Sequence, residues 1–519
     1  MASRRRPLSI KTGREDSGSG VEEKEGGEGK GTDNGEITEA EEAEEEEEEE
    51  EEEEPVSPAG RLFLQPRFNC HIVSVMGCGK RLDVDAVKAG LEVTLVRHPR
   101  FSSIQVSDEK PLRWVRTKVN VEDHVIIPDL DPNATSANPD KVVEDYVASL
   151  SSTTMDHSRP LWDLHILNFV TSEAAAVAIL RIHHSLGDGI SLMSLFLACT
   201  RQCSDPDRLP SLPDARSSTA ANSRSGILAL LLWVWAGLVL AWHTLVDVVL
   251  FTATLAFVKD TRTPLVGMEG VEFHPKRFLH RTVSLDDIKD IKKAMNCTVN
   301  DVLVGITSAG LSRYLDRRYG EGDDVKKEKK RLPANIRLRT ALLVNIRRTP
   351  GIHALAEMME KGKGGGAKWG NKLGYMVLQF PIAIFEDPLE YIRRGKAIAE
   401  RKKNSLEAVF TYWSAWVIVK IFGIEAAAAL CRRMVTHTTV SFSNIVGPIE
   451  KIGFCGHPVV YIAPSVYGHP HALTLHFQSY TNTMKIVVAV DELTIPNPNQ
   501  LLDDLTESLR LIKDAIPRS

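Results

Sequence analysis

Seven cysteines are scattered through 519 residues, at Cys70, Cys78, Cys199, Cys203, Cys297, Cys431 and Cys455, and none belongs to a CxxC pair. Their odd number and irregular spacing argue against a disulfide framework and against a structural zinc site. They read as reduced core thiols in a cytosol-facing protein. No GxSxG elbow is present; the nearest approach, GITSAG at Gly305–Gly310, misses it, which weakens a serine-hydrolase reading. The glycine- and lysine-rich stretch Lys361–Lys368 lacks the GK[ST] of a phosphate-binding loop. No RNA- or DNA-binding motif is visible, so nucleic acid is not an expected partner. The Arg-rich N-terminus continues into Gly- and Glu-rich sequence without an apolar segment, so no cleavable signal peptide is expected.

Charge is unevenly spread. The net charge is −6, yet residues 1–54 carry 7 Lys+Arg against 22 Asp+Glu, a net of −15, which leaves +9 for the rest. Glu44–Glu54 is a run of eleven glutamates that repels itself and buries nothing, so disorder is expected there. A mildly basic body suits anionic partners such as the phosphates of CoA or a lipid surface. The length suggests two or three folded units. The chain divides into an acidic tail (1–57), an N-terminal half (58–225), a hydrophobic segment (226–258) and a C-terminal half (259–519).

Hydrophobic patterning predicts strands at Asn69–Met76, Ala174–Ile182, Leu342–Ile346, Val440–Phe442, Val459–Ala463, Ala472–Ser479 and Lys485–Val490. Helices are predicted at Val84–Val93, 141–150, Ile190–Thr200, 285–320, Tyr391–Lys403 and Leu501–Ala515. Strands and helices are mixed in both halves, giving an α/β or mixed α+β class. Ile227–Val258 is different in kind: its 32 residues contain only His243 and Asp247 as ionisable groups. Its first part, Gly226–Val246, is long enough to cross a bilayer core of roughly 30 Å. Trp233, Trp235 and Trp242 suit a membrane interface.

The sharpest motif is His183-His184-Ser185-Leu186-Gly187-Asp188-Gly189, set between an apolar strand and an apolar helix. An imidazole with an ordinary pKa of about 6.5 accepts a proton near neutral pH. Ester formation from a thioester and an alcohol needs such a base, and the imidazolium can then protonate the leaving thiolate without a covalent acyl-enzyme. Adjacent strand residues point to opposite faces, so only one histidine enters a shared cavity, and a metal site is disfavoured. Gly187 and Gly189 suit a tight turn against ligand. Asp188 is placed to orient the imidazole or to pin the loop to an arginine.

HHxxxDG in this setting resembles the plant wax ester synthase/diacylglycerol acyltransferase group of the CoA-dependent acyltransferase superfamily. The resemblance extends in order from about residue 58 to 515. It includes Pro160-Leu161-Trp162-Asp163, Asn300-Asp301, Leu343–Arg347, Trp369-Gly370-Asn371, Ser443–Pro448 and Tyr461–Ser479. Arg116 departs from the group's usual proline, and the acidic tail is unusual. The resemblance implies a two-domain fold with a tunnel between its halves and His184 as the base. It implies that Asp188 ties down the loop, with Arg347 a candidate partner. Asn300 and Asn444 would position the acyl carbonyl or its oxyanion, or serve as turn and cap residues.

The expected partners are acyl-CoA as a substrate, a long-chain alcohol or diacylglycerol, and membrane lipids, with no permanently bound cofactor and no metal. A non-catalytic lipid-binding protein of the same fold is the rival from another class. The tunnel requires His184 and Asn300 on one side of the membrane, although the apolar segment lies between them. Arg216 and Arg224 before it, and Lys259 and Arg262 after it, make both flanks cytosolic in character. A shallow hairpin or in-plane pair within 226–258 is therefore expected. It would sit on the cytosolic face of the endoplasmic reticulum, with the plasma membrane as a second location.

Overall fold

The computed structural model describes residues 54–108, 111–213, 227–320, 332–346, 352–361, 369 and 371–517. The tail up to residue 53, the later part of the linker, the Gly/Lys loop after Lys361, and Arg347 lie outside the described residues. In chain order the strands of the first part are β1 (Glu54–Pro55), β2 (His71–Cys78), β3 (Ser103–Val106), β4 (Arg113–Arg116), β5 (Val125–Ile126), β6 (Trp162–Leu167), β7 (Ala176–His183) and β8 (Thr200–Gln202). Those of the second are β9 (Arg277–Ser284), β10 (Arg337–Asn345), β11 (Leu373–Pro381), β12 (Val440–Ile445), β13 (Ile452–Phe454), β14 (His457–Tyr467), β15 (Leu473–Tyr480) and β16 (Thr483–Val490). The helices used below are α1 (Pro58–Leu62), α2 (Val84–Glu92), α3 (Pro132–Ala137), α4 (Pro139–Leu150), α5 (Gly189–Ala198), α6 (Ile227–Ala256), α7 (Leu285–Ala294), α8 (Val299–Gly320), α9 (Ile352–Lys361), α10 (Leu389–Lys403), α11 (Glu407–Thr436) and α12 (Pro498–Ala515).

Two mixed sheets organise the chain, each with its own apolar core. The first runs β5-β6-β7-β2-β14-β13-β8 and the second β11-β10-β12-β15-β16-β9. A small sheet, β1-β4-β3, flanks them. β7 (AVAILRIH) lies near the middle of the first sheet between β6 and β2, and nearly all of its residues are buried. This accounts for its unbroken apolar run, because a strand covered on both faces has no polar side. α12 begins at a proline and buries Leu501, Leu505, Leu509 and Ile512 at helical spacing against the second core.

Chain order and sheet membership do not coincide. After β12 in the second sheet, the chain crosses to contribute β13 and β14 to the first, then returns as β15 and β16. β14 pairs with β2 over almost its whole length, from Val459 opposite Cys78 to Tyr467 opposite His71. Tyr461 of β14 lies so close over Gly77 that a methyl group there would stand 2.2 Å from its ring. Gly468, at φ +91°, turns the chain from β14 to β15 beside the Asn69 carbonyl.

Several sequence expectations change. The helix expected over 285–320 is two helices, α7 and α8, separated at Asn296, whose φ of +46° ends the first. Glu54, assigned to the tail, pairs in β1 and answers the buried guanidinium of Arg100 at 2.6 Å. The hydrophobic segment is a single uninterrupted helix, α6, and not a hairpin. A second long apolar helix, α11, was not foreseen; Gly423, at φ +83° and ψ 173°, interrupts its middle. β6, β9 and β11 were also missed.

The first sheet also holds a buried charge network. Asp163 of β6 stands opposite Arg181 of β7, with Arg181 Nη2 2.5 Å from Asp163 Oδ2 and His165 Nε2 2.9 Å from Oδ1. Arg181 also donates to the Leu150 carbonyl and the Thr153 hydroxyl. Removing one member leaves the other charged and unanswered in the core. Asp163→Ala should therefore lower stability by about 3–5 kcal/mol, read as a lower urea midpoint.

Candidate active site

β7 delivers the two histidines. His183, the last residue of the strand, is fully buried and sits opposite His71, with ring centroids 4.9 Å apart edge to face. Both its nitrogens are engaged. Asn69 Oδ1 lies 2.8 Å from Nε2, so Nε2 carries the proton and donates it. Nδ1 then accepts from Ser185 Oγ at 2.7 Å, and Ser185 Oγ in turn accepts from Gln105 Nε2 at 2.7 Å. This chain fixes His183 as a neutral structural imidazole, and its basicity is held well below the ordinary value, first by burial.

His184 leaves the sheet. Its main-chain N–H donates to the Cys70 carbonyl at 2.9 Å, and its ring stacks on Phe63 with centroids 4.0 Å apart. Burial pushes its pKa down to about 4, against the opposing pull of its own backbone and the Asp188 carboxylate. At neutral pH the imidazole is therefore unprotonated and open to accept a proton.

The loop after His184 is pinned from the other half of the chain. Asn371 Nδ2 donates to the His184 carbonyl at 2.9 Å and to the Ser185 carbonyl at 3.3 Å. Trp369 Nε1 donates to the Leu186 carbonyl at 2.6 Å. These carbonyls have left the β7 ladder, so the two side chains supply donors that the sheet no longer offers. A methyl group at Gly187 would lie 3.0 Å from the Trp369 ring. Gly187 is thus fitted to Trp369, and neither it nor Gly189 has a positive φ. The turn expected against ligand is packed against protein at this position.

Asp188 is the N-cap of α5, with its Oδ1 accepting from the Ser191 N–H at 2.9 Å. Its proposed partner Arg347 lies outside the described residues. Asn300 and Asn444 meet each other: Asn444 Nδ2 donates to Asn300 Oδ1 at 2.6 Å. Asn300 is in the first turn of α8, whose cap is a reciprocal pair between Thr298 and Asp301, with Lys403 Nζ 3.0 Å from Asp301. The structure therefore gathers His183, His184, Gly187, Asp188 and Gly189 into one strand–turn–helix unit. Asn300 and Asn444 form a separate pair on the second half. Sequence reasoning assigned no role to Phe63, Gln105, Ser185, Trp369 or Asn371. Trp369 and Asn371 entered only through the family resemblance of Trp369-Gly370-Asn371, without a stated partner.

The sequence matches a known family. Residues 78–303 match the wax ester synthase/diacylglycerol acyltransferase catalytic domain, and residues 369–513 match the WS/DGAT C-terminal domain. Wax ester synthase/diacylglycerol acyltransferase 11 of Arabidopsis thaliana is 49% identical over 467 residues, covering 89% of this chain and 95% of that protein. Wax ester synthase/diacylglycerol acyltransferase 4 of the same plant is 50% identical over 475 residues, covering 89% and 90%. The fold is similar to that of a wax ester synthase/diacylglycerol acyltransferase from Marinobacter aquaeolei VT8, with a TM-score of 0.55 at 18% identity, covering 88% of this chain and 98% of that one. The first condensation domain of the calcium-dependent antibiotic synthetase has a TM-score of 0.52 at 12% identity, covering 90% and 96%.

The fold is thus a mixed α/β, two-domain acyltransferase fold. The chain belongs to the wax ester synthase/diacylglycerol acyltransferase family and is an acyltransferase.

Two outcomes follow from Asp188. Asp188→Ala removes the cap and should cost about 1 kcal/mol, seen as a lower melting temperature. Asp188→Asn keeps a capping oxygen but removes the charge that raises the His184 pKa. The acidic limb of the kcat/KM profile should then move to lower pH. Stability has its own pH dependence. His71 and His98 are held at about 3, and His184, His471 and His476 at about 4, in each case first by burial. A histidine whose folded pKa is depressed contributes stability that is present above its unfolded pKa of about 6.5. That contribution is lost as pH falls towards the folded value. The melting temperature should therefore drop progressively between about pH 6.5 and 4.

Proposed function

We propose that the protein transfers a fatty acyl group from acyl-CoA to a long-chain alcohol, forming a wax ester, with His184 as general base. The alcohol proton passes to His184 as its oxygen bonds to the thioester carbonyl carbon. The tetrahedral species then expels the CoA thiolate, which takes the proton back. No covalent acyl-enzyme is needed, and acyl-CoA enters as a substrate and not as a resident cofactor. The observation that carries this reading is the apolar cluster behind His184. Phe63, which stacks on the imidazole, belongs to one buried cluster with Cys70, Phe251 of α6, Leu373 and Val377 of β11, and Met434 of α11. A neutral imidazole therefore adjoins a packed apolar cluster that ties it to two long apolar helices, surroundings suited to an alkyl acceptor.

Those helices support membrane contact, and the proposed location is the cytosolic face of the endoplasmic reticulum. Leu230–Ala256 and Glu407–Thr436 are each long and apolar enough to cross a membrane by length and composition. Trp233, Trp235 and Trp242 of α6 are exposed, as are Trp413, Ile421 and Phe422 of α11. Lys420 lies over the Trp416 ring at 5.0 Å, a pose that keeps its ammonium at a water boundary. Asp247, by contrast, is fully buried against protein, paired with Arg401 and with Lys402 at 2.9 Å. It marks where α6 is fastened to the body and removes the cost of a lone carboxylate in lipid.

Strand pairing argues against a single crossing by α6. β7 and β2 precede it and β14 follows it, yet all three pair in one sheet. α11 is buried at both ends, at Glu407 and Met434, and exposed at its interruption by Gly423. It has the form of a shallow prong whose tip is Ile421–Phe422. This supports monotopic insertion by the exposed length of α6 together with that tip.

Purified protein given labelled palmitoyl-CoA should esterify hexadecanol more efficiently than diacylglycerol. His184→Ala should lose turnover while keeping its melting temperature; a preference for diacylglycerol would reassign the acceptor, and near-normal turnover in the variant would reassign the base. In sealed microsomes, tags at residue 215 and at the C-terminus should both be digested by protease without detergent. Protection of one alone would establish a single span.

A further inference from the structure

A second imidazole lies on the face of the other sheet that is turned towards the first sheet. On β15, Leu475 and Phe477 are fully buried in the core of the second sheet. Side chains alternate along a strand, so His476, between them, points to the opposite face. That face is turned towards the first sheet, as two contacts show. His476 Nδ1 lies 3.3 Å from Ser465 Oγ on β14, a strand of the first sheet. In the parallel register of β12 and β15, Ser443 stands opposite His476, and Ile445 opposite Gln478, on the same face. Ile445 reaches 3.4 Å from where a side chain at Gly189 would begin, inside the HHSLGDG motif.

His476 is almost fully buried, at 7% exposure, the same as His184. Burial first, and next the His184 imidazole, hold its pKa at about 4. At neutral pH His476 is uncharged and carries one ring proton. Asn300 and Asn444, expected at the acyl carbonyl or in turn and cap roles, are bonded to each other. The oxygen that becomes anionic during transfer needs a donor fixed in advance, in a site from which water is excluded.

We propose that His476 contacts the substrate directly, with Ser465 Oγ–H donating to Nδ1 and Nε2–H directed at the acyl carbonyl oxygen. The assignment rests on His184 as base. When the alcohol oxygen bonds to the carbonyl carbon, its proton moves to His184. The C=O π pair moves onto the oxygen that Nε2–H faces. Collapse restores the C=O bond, breaks the C–S bond and returns the proton from His184 to the thiolate. His476 neither gains nor loses a proton in this cycle; its hydrogen bond strengthens as the oxygen acquires charge.

The test compares full-length variants with palmitoyl-CoA and hexadecanol. His476→Phe fills the ring's space without a donor, and its kcat should fall about 100- to 1000-fold with KM for palmitoyl-CoA changed less than threefold. His476→Gln restores an N–H of similar reach and should recover at least tenfold of that loss. The idea is overturned if His476→Phe keeps kcat within threefold of wild type. It is equally overturned if the Phe and Gln variants are alike in kcat and share a lowered melting temperature, the mark of a packing role. Should His476→Phe not fold, Ser465→Ala decides: a tenfold lower kcat at unchanged KM supports the assignment, and an unchanged kcat removes it. His184→Ala, assayed alongside, separates the two claims. An active His184→Ala refutes the base, whereas an inactive one beside a fully active His476→Phe refutes only the role of His476.

Discussion

The exchange of β14 between the two halves is the constraint on which the rest depends. Without it, β2 would present an unpaired edge in the middle of the first sheet, and each half would be free to move against the other. With it, the backbone crosses between the halves twice, and the ladder from β7 through β2 to β14 fixes their register. Everything at the reacting centre is referred to that ladder. His183 stands opposite His71, which stands opposite Tyr467, and the chain turns at Gly468 directly into the strand that carries His476. A shared cluster of Val73, Tyr461, Tyr467, Phe278 and Val487 spans the same boundary with apolar contacts.

Within that frame, the two histidines of the motif illustrate how environment divides identical side chains between roles. His183 is saturated with partners, a proton donor on one nitrogen and an acceptor on the other, and its value lies in holding the end of the strand. His184 gives its backbone to the structure, and its ring, stacked on Phe63, is the one proposed as the base. The loop that carries it is fixed by donors from a segment nearly two hundred residues later, at Trp369 and Asn371. This arrangement makes His184, the proposed base, part of both halves at once.

Much of this was legible in the sequence, and the failures have physical reasons. β7 and α5 were visible because a doubly covered strand and a capped buried helix leave unmistakable apolar runs around His184. The closing helix α12 was visible from its 3.6-residue spacing. The hydrophobicity of Glu407–Thr436 is diluted by Lys420, Glu425, Arg432 and Arg433, which hid a helix as long as α6. The sequence could not indicate that Asp247 faces protein, because its partners Arg401 and Lys402 are some 150 residues away. The function of Trp369 and Asn371 was equally hidden, since a hydrogen bond to a main-chain carbonyl leaves no trace in the identity of the residue accepting it. Asn300 and Asn444 were expected at the acyl carbonyl or in turn and cap roles, and the structure pairs them with each other.

The pairing of Asp247 with Arg401 and Lys402 also bears on how the chain is made. On the ribosome, α6 emerges long before its two cations exist. During that interval its carboxylate has no answer, and placing it at the centre of a bilayer would cost roughly 2.5–3.5 kcal/mol on the insertion scale. Once α10 has been made, the same carboxylate becomes a latch that draws the base of α6 onto the folded body. The fastening of α6 is therefore complete only when the chain has been made as far as Arg401 and Lys402.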